Sequence, residues 1–281
     1  MKGKRKSWLL YAALIMMLLL SVILIAYPVV SDWYMERVSS TVQAEYVENI
    51  ERTEDEEIQR AFEEAHQYNR SLYAVQSSEQ TELQEYRDIL NLTGNGLMGY
   101  VEIPVIDVSL PIYHTVDESV LQIGAGHMEG TSLPIGGDNT HAVISAHSGM
   151  SGARMFSDLN KVKTNDMIFI QVLGKKLAYE VTESEVVLPS DIEKVRIERD
   201  KDMITLVTCV PYGVNTHRLL VHAERVELTE KEIVEEETEV EVAESTWMEN
   251  YVEGIAFGFV IAGGFLFAII VILKIRNKRR G

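Results

Sequence analysis

The sequence predicts a mainly β domain, a sandwich or barrel of short strands, with a helical segment before it and a membrane-spanning helix at either end of the chain. Three observations lead there. From Gly99 onward apolar and polar residues alternate, as in Val101, Glu102, Ile103 and Pro104, the period-two repeat that sends successive side chains to opposite faces of a strand. Breaks bearing glycine or proline divide this region into many short runs, the pattern of an all-β sandwich or barrel. Uncharged apolar runs occupy residues 8–30 and 254–273, and at about 1.5 Å per residue a helix of that length crosses a bilayer core of about 30 Å.

Residues 1–7 form a basic tail with Lys2, Lys4, Arg5 and Lys6. The run 8–30 is longer than the roughly 7–15 apolar residues of a secretory signal, and the stretch from Ala26 to Ser31 is a poor small-x-small cleavage site, so it reads as a retained anchor. The second span, assigned to 252–273, is followed by Lys274, Arg276, Lys278, Arg279 and Arg280 in the tail 274–281. Basic clusters stay on the cytoplasmic side, which places both termini inside and everything between the spans outside the cell. The Gly263 and Gly264 pair would permit close helix approach in the second span.

A chain of 281 residues, 46% hydrophobic and with a formal net charge of −17, holds one domain of ordinary size plus appendages. The excess acid argues against a nucleic-acid partner, which would select a basic face, and favours basic or neutral protein partners. The single cysteine excludes an intramolecular disulfide framework and CxxC zinc spacing. No D-x-D-x-D-G loop occurs, so no metal site and no cofactor are assigned.

Between the first span and the β region, residues 31–98 are helical in pattern. Ile58, Phe62, Ala65, Tyr68 and Leu72 recur three or four apart within 45–73, which predicts an amphipathic helix packed on the β domain. A second, shorter helix is expected over 79–92, with Leu83, Tyr86 and Leu90, stopping at the Gly94 and Gly96 break. Strands are expected at 101–105, 108–112, 142–146, 167–173, 177–182, 203–208 and 219–226, with a hairpin turn at Gly174 and Lys175 and a brief helix near 153–159. Past the β domain, residues 228–251 are so acidic that they should be extended, a stalk leading to the second span.

The stretch around Cys209 organises the rest. An apolar β-branched run ends at Cys209, breaks at Pro211 and Gly213, and resumes as a second β-rich run from Arg218, the pattern of two antiparallel strands joined by a loop. A thiol and a guanidinium nine positions apart can then lie side by side at one end of a sheet, and a fixed cation favours the thiolate, the form that attacks carbonyls. A lone cysteine is otherwise commonly a small buried apolar residue. A histidine partner is available, because alternation sets Val143, Ser145 and His147 on one face, with His147 at the strand exit before Gly149.

These residues resemble the sortases, cysteine transpeptidases of Gram-positive cell surfaces. TLVTC at Cys209, PYGVNTHRLL with Arg218, GHMEGTSLPIGG and THAVISAHSG stand in the family's order, and the similarity runs from about Gly99 to Arg225. MGYVEIP, LPIYH, GHMEGTSLP and NTHRLL look most like the class C, pilin-polymerising branch. The resemblance implies an eight-stranded barrel over 99–227, with Cys209 as nucleophile, His147 as general acid and base, and Arg218 as oxyanion or substrate stabiliser. It further implies cleavage of an LPxTG-like sorting signal through a thioester and transfer to an amine, a pilin lysine in pilus assembly or, alternatively, a cell-wall peptide in surface-protein anchoring. A doubly anchored scaffold with an inactive enzyme fold is the reading from another class.

Two departures from the class C pattern stand out. No proline lies between Pro28 and Pro104, so the Asp-Pro-aromatic motif of a tethered lid is missing from 31–98. Ala146 and Ser148 flank His147 where class C members often carry glycine and arginine, which points to a different substrate preference there. His127, His141 and His217 read as structural; His141, six residues before His147, is placed on the opposite face, and His217 is the nearest rival to His147.

Overall fold

The computed structural model describes residues 2–77, 85–150, 153–229, 231–233, 242, 251–261 and 264. They fall into two compact units, residues 1–27 with 245–281, and residues 28–244. In the first unit the long helix α1 (Lys2–Arg52) begins, and its apolar part from Ile15 has a mean hydropathy of 2.2 with none of that window buried. It is the one helix among the described residues with the length and composition to cross a membrane. The expected second span is represented by the shorter apolar helix Tyr251–Ile261; apart from Gly264, its remainder lies outside the described residues, as do most of the stalk and the tail 274–281.

The second unit is a closed barrel. Its strands are β1 (Leu97–Ile103), β2 (Val108–His114), β3 (Ala125–His127), β4 (Thr140–Ser145), β7 (Met167–Val172), β8 (Lys175–Val187), β9 (Asp202–Val210) and β10 (His217–Val226), in the order β1-β2-β3-β4-β9-β10-β8-β7. Short β5 (Ser148–Met150) and β6 (Ala153–Met155) form a separate two-stranded sheet. Val101, Ile103, Ile112, Ile144, Ile168, Ile170, Ile204, Leu206 and Val221 are fully or nearly fully buried in the core, which is what the alternation of each strand leads one to expect. The β7–β8 turn falls at Leu173 and Gly174, both at positive φ, where glycine is unstrained.

Helix α1 continues past the apolar window and docks on the barrel. The Tyr46 hydroxyl donates to the Met98 carbonyl at 2.8 Å and accepts the Leu173 amide at 2.9 Å, joining β1 to the β7–β8 turn. The predicted helix over 45–73 is divided in two: α1 ends at Arg52, Glu54 is extended, and α2 (Asp55–Gln76) starts anew. Asp55, Glu56 and Glu57 crowd its first turn, where the helix dipole favours negative charge. Phe62, Ala65, Tyr68 and Leu72 are buried as the periodicity requires, and buried Asn69 exchanges hydrogen bonds with the amide and carbonyl of Leu133.

Three local expectations are corrected. Of the helix expected over 79–92, residues 79–84 lie outside the described residues, and the rest is a single 3-10 turn at Tyr86–Asp88 followed by Leu90 at φ 62. There Tyr86 is drawn into the core by His127, and burial outweighs helical periodicity. The brief helix near 153–159 is instead strand β6 and a 3-10 turn at Leu159–Lys161, because pairing with β5 claims the backbone of 153–155. Strand β3 lacks an apolar run; its Gly126 passes so close to β2 that a Cβ would lie 2.2 Å from the Thr115 carbonyl oxygen. Gly126→Ala is expected to prevent β2–β3 pairing, measured as loss of cooperative thermal unfolding.

His127 is sealed beside that strand. Its Nε2 donates to the Ser132 carbonyl at 2.7 Å and its Nδ1 faces the Tyr86 hydroxyl at 2.8 Å, a set of partners that suits the neutral ring. Burial pushes its pKa down to about 4. Since the unfolded histidine titrates near 6.5, the stability this group contributes is present above about pH 6.5 and is lost as pH falls toward 4. Urea unfolding is expected to show about 3 kcal/mol less stability at pH 4 than at pH 7 from this group, and His127→Asn should flatten that part of the profile.

Candidate active site

Strand β9 lies between β4, which runs parallel to it, and β10, which runs antiparallel. The register sets Ser145 opposite Val207 on one side and Arg218 opposite Cys209 on the other. Past the end of β4 the pairing continues: the Ala146 amide donates to the Val207 carbonyl at 3.1 Å, and the Ala146 carbonyl accepts the Thr208 hydroxyl at 2.9 Å. His147 is therefore level with Cys209, and the Ser148 hydroxyl donates to the Cys209 carbonyl. The register thus sets His147, just past the end of β4, in one row with Cys209 on β9 and Arg218 on β10.

That row is on the outer face of the barrel. Ile204 and Leu206 belong to the core, so the alternate positions Met203, Thr205, Val207 and Cys209 face outward. Beneath the row, Val143, Val207 and Leu220 make a separate apolar cluster joined by Met128, Val187 and Val195. Val195 lies on the β8–β9 connection, so this cluster packs that connection against the outer face of β4, β9 and β10.

The connection is pinned by a buried polar layer. His141 Nδ1 donates to the Arg196 carbonyl at 2.8 Å, which leaves Nε2 of the neutral ring to accept the Thr205 hydroxyl at 2.6 Å. Burial pushes the His141 pKa down, in keeping with a neutral ring. The Thr205 oxygen is then free to accept from His222 Nδ1 at 2.8 Å, while His222 Nε2 stands 3.4 Å from Glu185 Oε1. The Lys194 amine, 2.9 Å from Glu185 Oε2, holds that carboxyl below its usual range and ties the connection to β8.

Each member of the row has its own supports. Cys209 is partly exposed, at the strand end before the β9–β10 loop. Arg218 Nη1 donates to the carbonyls of Asn215 and His217 at 3.1 and 3.0 Å, which fixes the guanidinium at the base of that loop. His147 is 24% exposed, with Nε2 3.5 Å from Glu118 Oε1 on the short helix α3 (Glu118–Leu121). His217 pairs with Val210 and shares its face, so the rival histidine points away from the Cys209 row. His141 is on the same face as His147, against expectation; six residues is an even spacing, which preserves the face of a strand. Glu118, Ser148, Thr205 and His222 were missed, and only the alternation of β9 and β10 could have signalled the last two.

Residues 101–226 match the sortase domain family. The X-ray structure of sortase C from Clostridium perfringens SM101 is 40% identical, covering 67% of this chain and 99% of that one with a TM-score of 0.59. The chain belongs to the sortase family. Sortase C1 of GBS Pilus Island 1 is similar at 36% identity, 68% of this chain, 100% of that one and a TM-score of 0.64. Among curated proteins, sortase A of Streptococcus agalactiae serotype III (strain NEM316) is 32% identical over 131 residues, which is 46% of this sortase and 52% of that protein. Sortase A of Bacillus anthracis is 28% identical over 130 residues, 46% of this chain and 60% of that protein. This sortase thus spans little more than half the length of the curated relatives it matches, and its likeness to class C structures is the more extensive.

Thr205→Val keeps the shape and removes the hydroxyl between two histidines. It is expected to cost about 1–3 kcal/mol, because ring nitrogens are left unpaired in the interior, and to make the 188–201 connection susceptible to limited proteolysis while the rest of the barrel stays resistant.

Proposed function

We propose that this chain is a membrane-anchored class C-like sortase that cleaves an LPxTG-like sorting signal and transfers it to an amine. The single observation that carries the reading is the strand register that sets His147, Cys209 and Arg218 level on one face of the barrel. A peptide carbonyl is a poor electrophile, so its cleavage at neutral pH calls for a strong nucleophile, a proton for the leaving amine and donors for the oxyanion. Cys209, as thiolate, attacks the threonine carbonyl of the signal. His147, as imidazolium, protonates the departing glycine amine, and the threonine acyl group remains on sulfur as a thioester. The incoming amine attacks that thioester, gives its proton to the neutral His147, and releases the thiolate as the new amide forms. Arg218 keeps its proton throughout and donates to the oxygen that carries charge in both tetrahedral intermediates.

The substrate class is supported by the similarity to Clostridium perfringens sortase C, whose structure was solved with the C-terminal cell wall sorting motif at 40% identity to this chain. Likeness to class C structures favours a pilin lysine as the acceptor over a cell-wall peptide. The apolar part of α1 anchors the enzyme, the second span returns the chain to the cytoplasm, and the barrel works on the extracellular face. With no Asp-Pro-aromatic motif in 31–98, the signal reaches Cys209 without displacing a tethered lid.

Cys209→Ala is expected to abolish covalent product while the protein stays folded. Arg218→Ala should lower the transfer rate about 100- to 1,000-fold, the loss of about 2.7–4 kcal/mol typical of an oxyanion donor. Immunoblots of cells expressing a neighbouring pilin should show a ladder of covalent polymers; a single wall-linked species would assign the acceptor to the cell wall, and unchanged product in Cys209→Ala would refute the mechanism.

A further inference from the structure

We infer that Asp32, in the barrel-side part of α1, is a positioning residue for His147 and acts through Arg154. The β5–β6 sheet that follows His147 has only two strands, so it depends on contacts from outside itself. Ala153 and Met155 of β6 pack into the core, and Asp32 adds a polar clamp from α1: the Arg154 amide on β6 donates to Asp32 Oδ1 at 2.8 Å, and the Arg154 Nε lies 3.3 Å from Asp32 Oδ2. The two side chains are only 25% and 18% exposed, so the pair is shielded from solvent in a way that surface pairs are not. Asp107 Oδ2 adds a looser contact, 3.6 Å from Arg154 Nη2.

From Arg154 the connection to the row is short. Met155 pairs with Ser148 and Ala153 with Met150. The Phe156 amide donates to the His147 carbonyl at 3.0 Å, and the Ser148 hydroxyl donates to the Cys209 carbonyl. Met155, next to Arg154, is buried and sits at φ 42. A non-glycine residue stays in that region only where its surroundings over-determine it, and here those surroundings are the Asp32 clamp on one side and the core on the other. Without the clamp β6 relaxes, β5 follows, and the His147 backbone loses the partner that holds it level with Cys209. The contacts stand by themselves; their consequence for rate rests on the proposed function.

The test uses the full chain in detergent, with Asp32→Ala, Asp32→Asn and His147→Ala beside the unaltered protein. One readout is the pH profile of Cys209 alkylation by iodoacetamide, which needs no substrate; the other is kcat and KM on a quenched peptide containing Leu-Pro-x-Thr-Gly. Asp32→Ala is expected to lower kcat about 10- to 100-fold, to leave KM within about twofold, and to move the alkylation profile onto that of His147→Ala. Asp32→Asn keeps an oxygen for the Arg154 amide and should fall between; it carries the same test if Asp32→Ala does not fold. A folded Asp32 variant with the kcat and alkylation profile of the unaltered protein overturns the inference. If the unaltered chain turns over no peptide, the proposed function fails, and the alkylation profiles alone decide the role of Asp32.

Discussion

The pairing of β9 with its two neighbours is the constraint on which the rest depends. Parallel register with β4 and antiparallel register with β10 bring three residues from distant parts of the chain to one level and one face. Register in a sheet is an all-or-none property: a slip of one residue in β10 would bring His217 opposite Cys209 and turn Arg218 toward the core. The apolar alternation of β10 forbids that slip, because Leu219, Val221 and Ala223 are buried and would be driven outward. The hydrophobic core thus holds the chemistry of the outer face in place.

The outer face is zoned along its strands. The row of His147, Cys209 and Arg218 lies partly exposed at the strand ends, an apolar cluster of Val143, Val207 and Leu220 adjoins it, and a buried hydrogen-bonded layer of His141, Thr205 and His222 comes next along the strands. Each layer has a distinct physical task. The apolar side chains hold the β8–β9 connection on the sheet through Val195. The polar layer gives the β8–β9 connection a fixed seat, because its groups find partners only when Arg196 and Lys194 are in position. Rigid support of this kind lets a loop wall form a specific site.

Seven of the eight barrel strands were legible, because each carries an alternation that burial later matches. Strand β3 was not, since Ala125, Gly126 and His127 hold their places by close backbone approach and by a buried ring. Strand β6 was mistaken for helix, because Ala153 to Leu159 has fair helical composition and only tertiary pairing with β5 overrides it. Cys209, His147 and Arg218 were named from residue chemistry, strand ends and resemblance. Glu118 and Asp32 were out of reach, one on a four-residue helix and the other on the long helix α1, whose local pattern says nothing of a partner more than a hundred residues away.

What the sequence determined alone was seven of the barrel strands, the apolar window of α1 and the supply of one thiol, its candidate imidazole and its guanidinium, because period, hydropathy and side-chain chemistry are local properties. Tertiary structure decided which residues come level with Cys209, which face of the barrel they share, and which carboxylate tethers the segment after His147. Those outcomes depend on strand order, register and loop closure, which arise from packing the whole chain at once and leave no mark within any short window of residues.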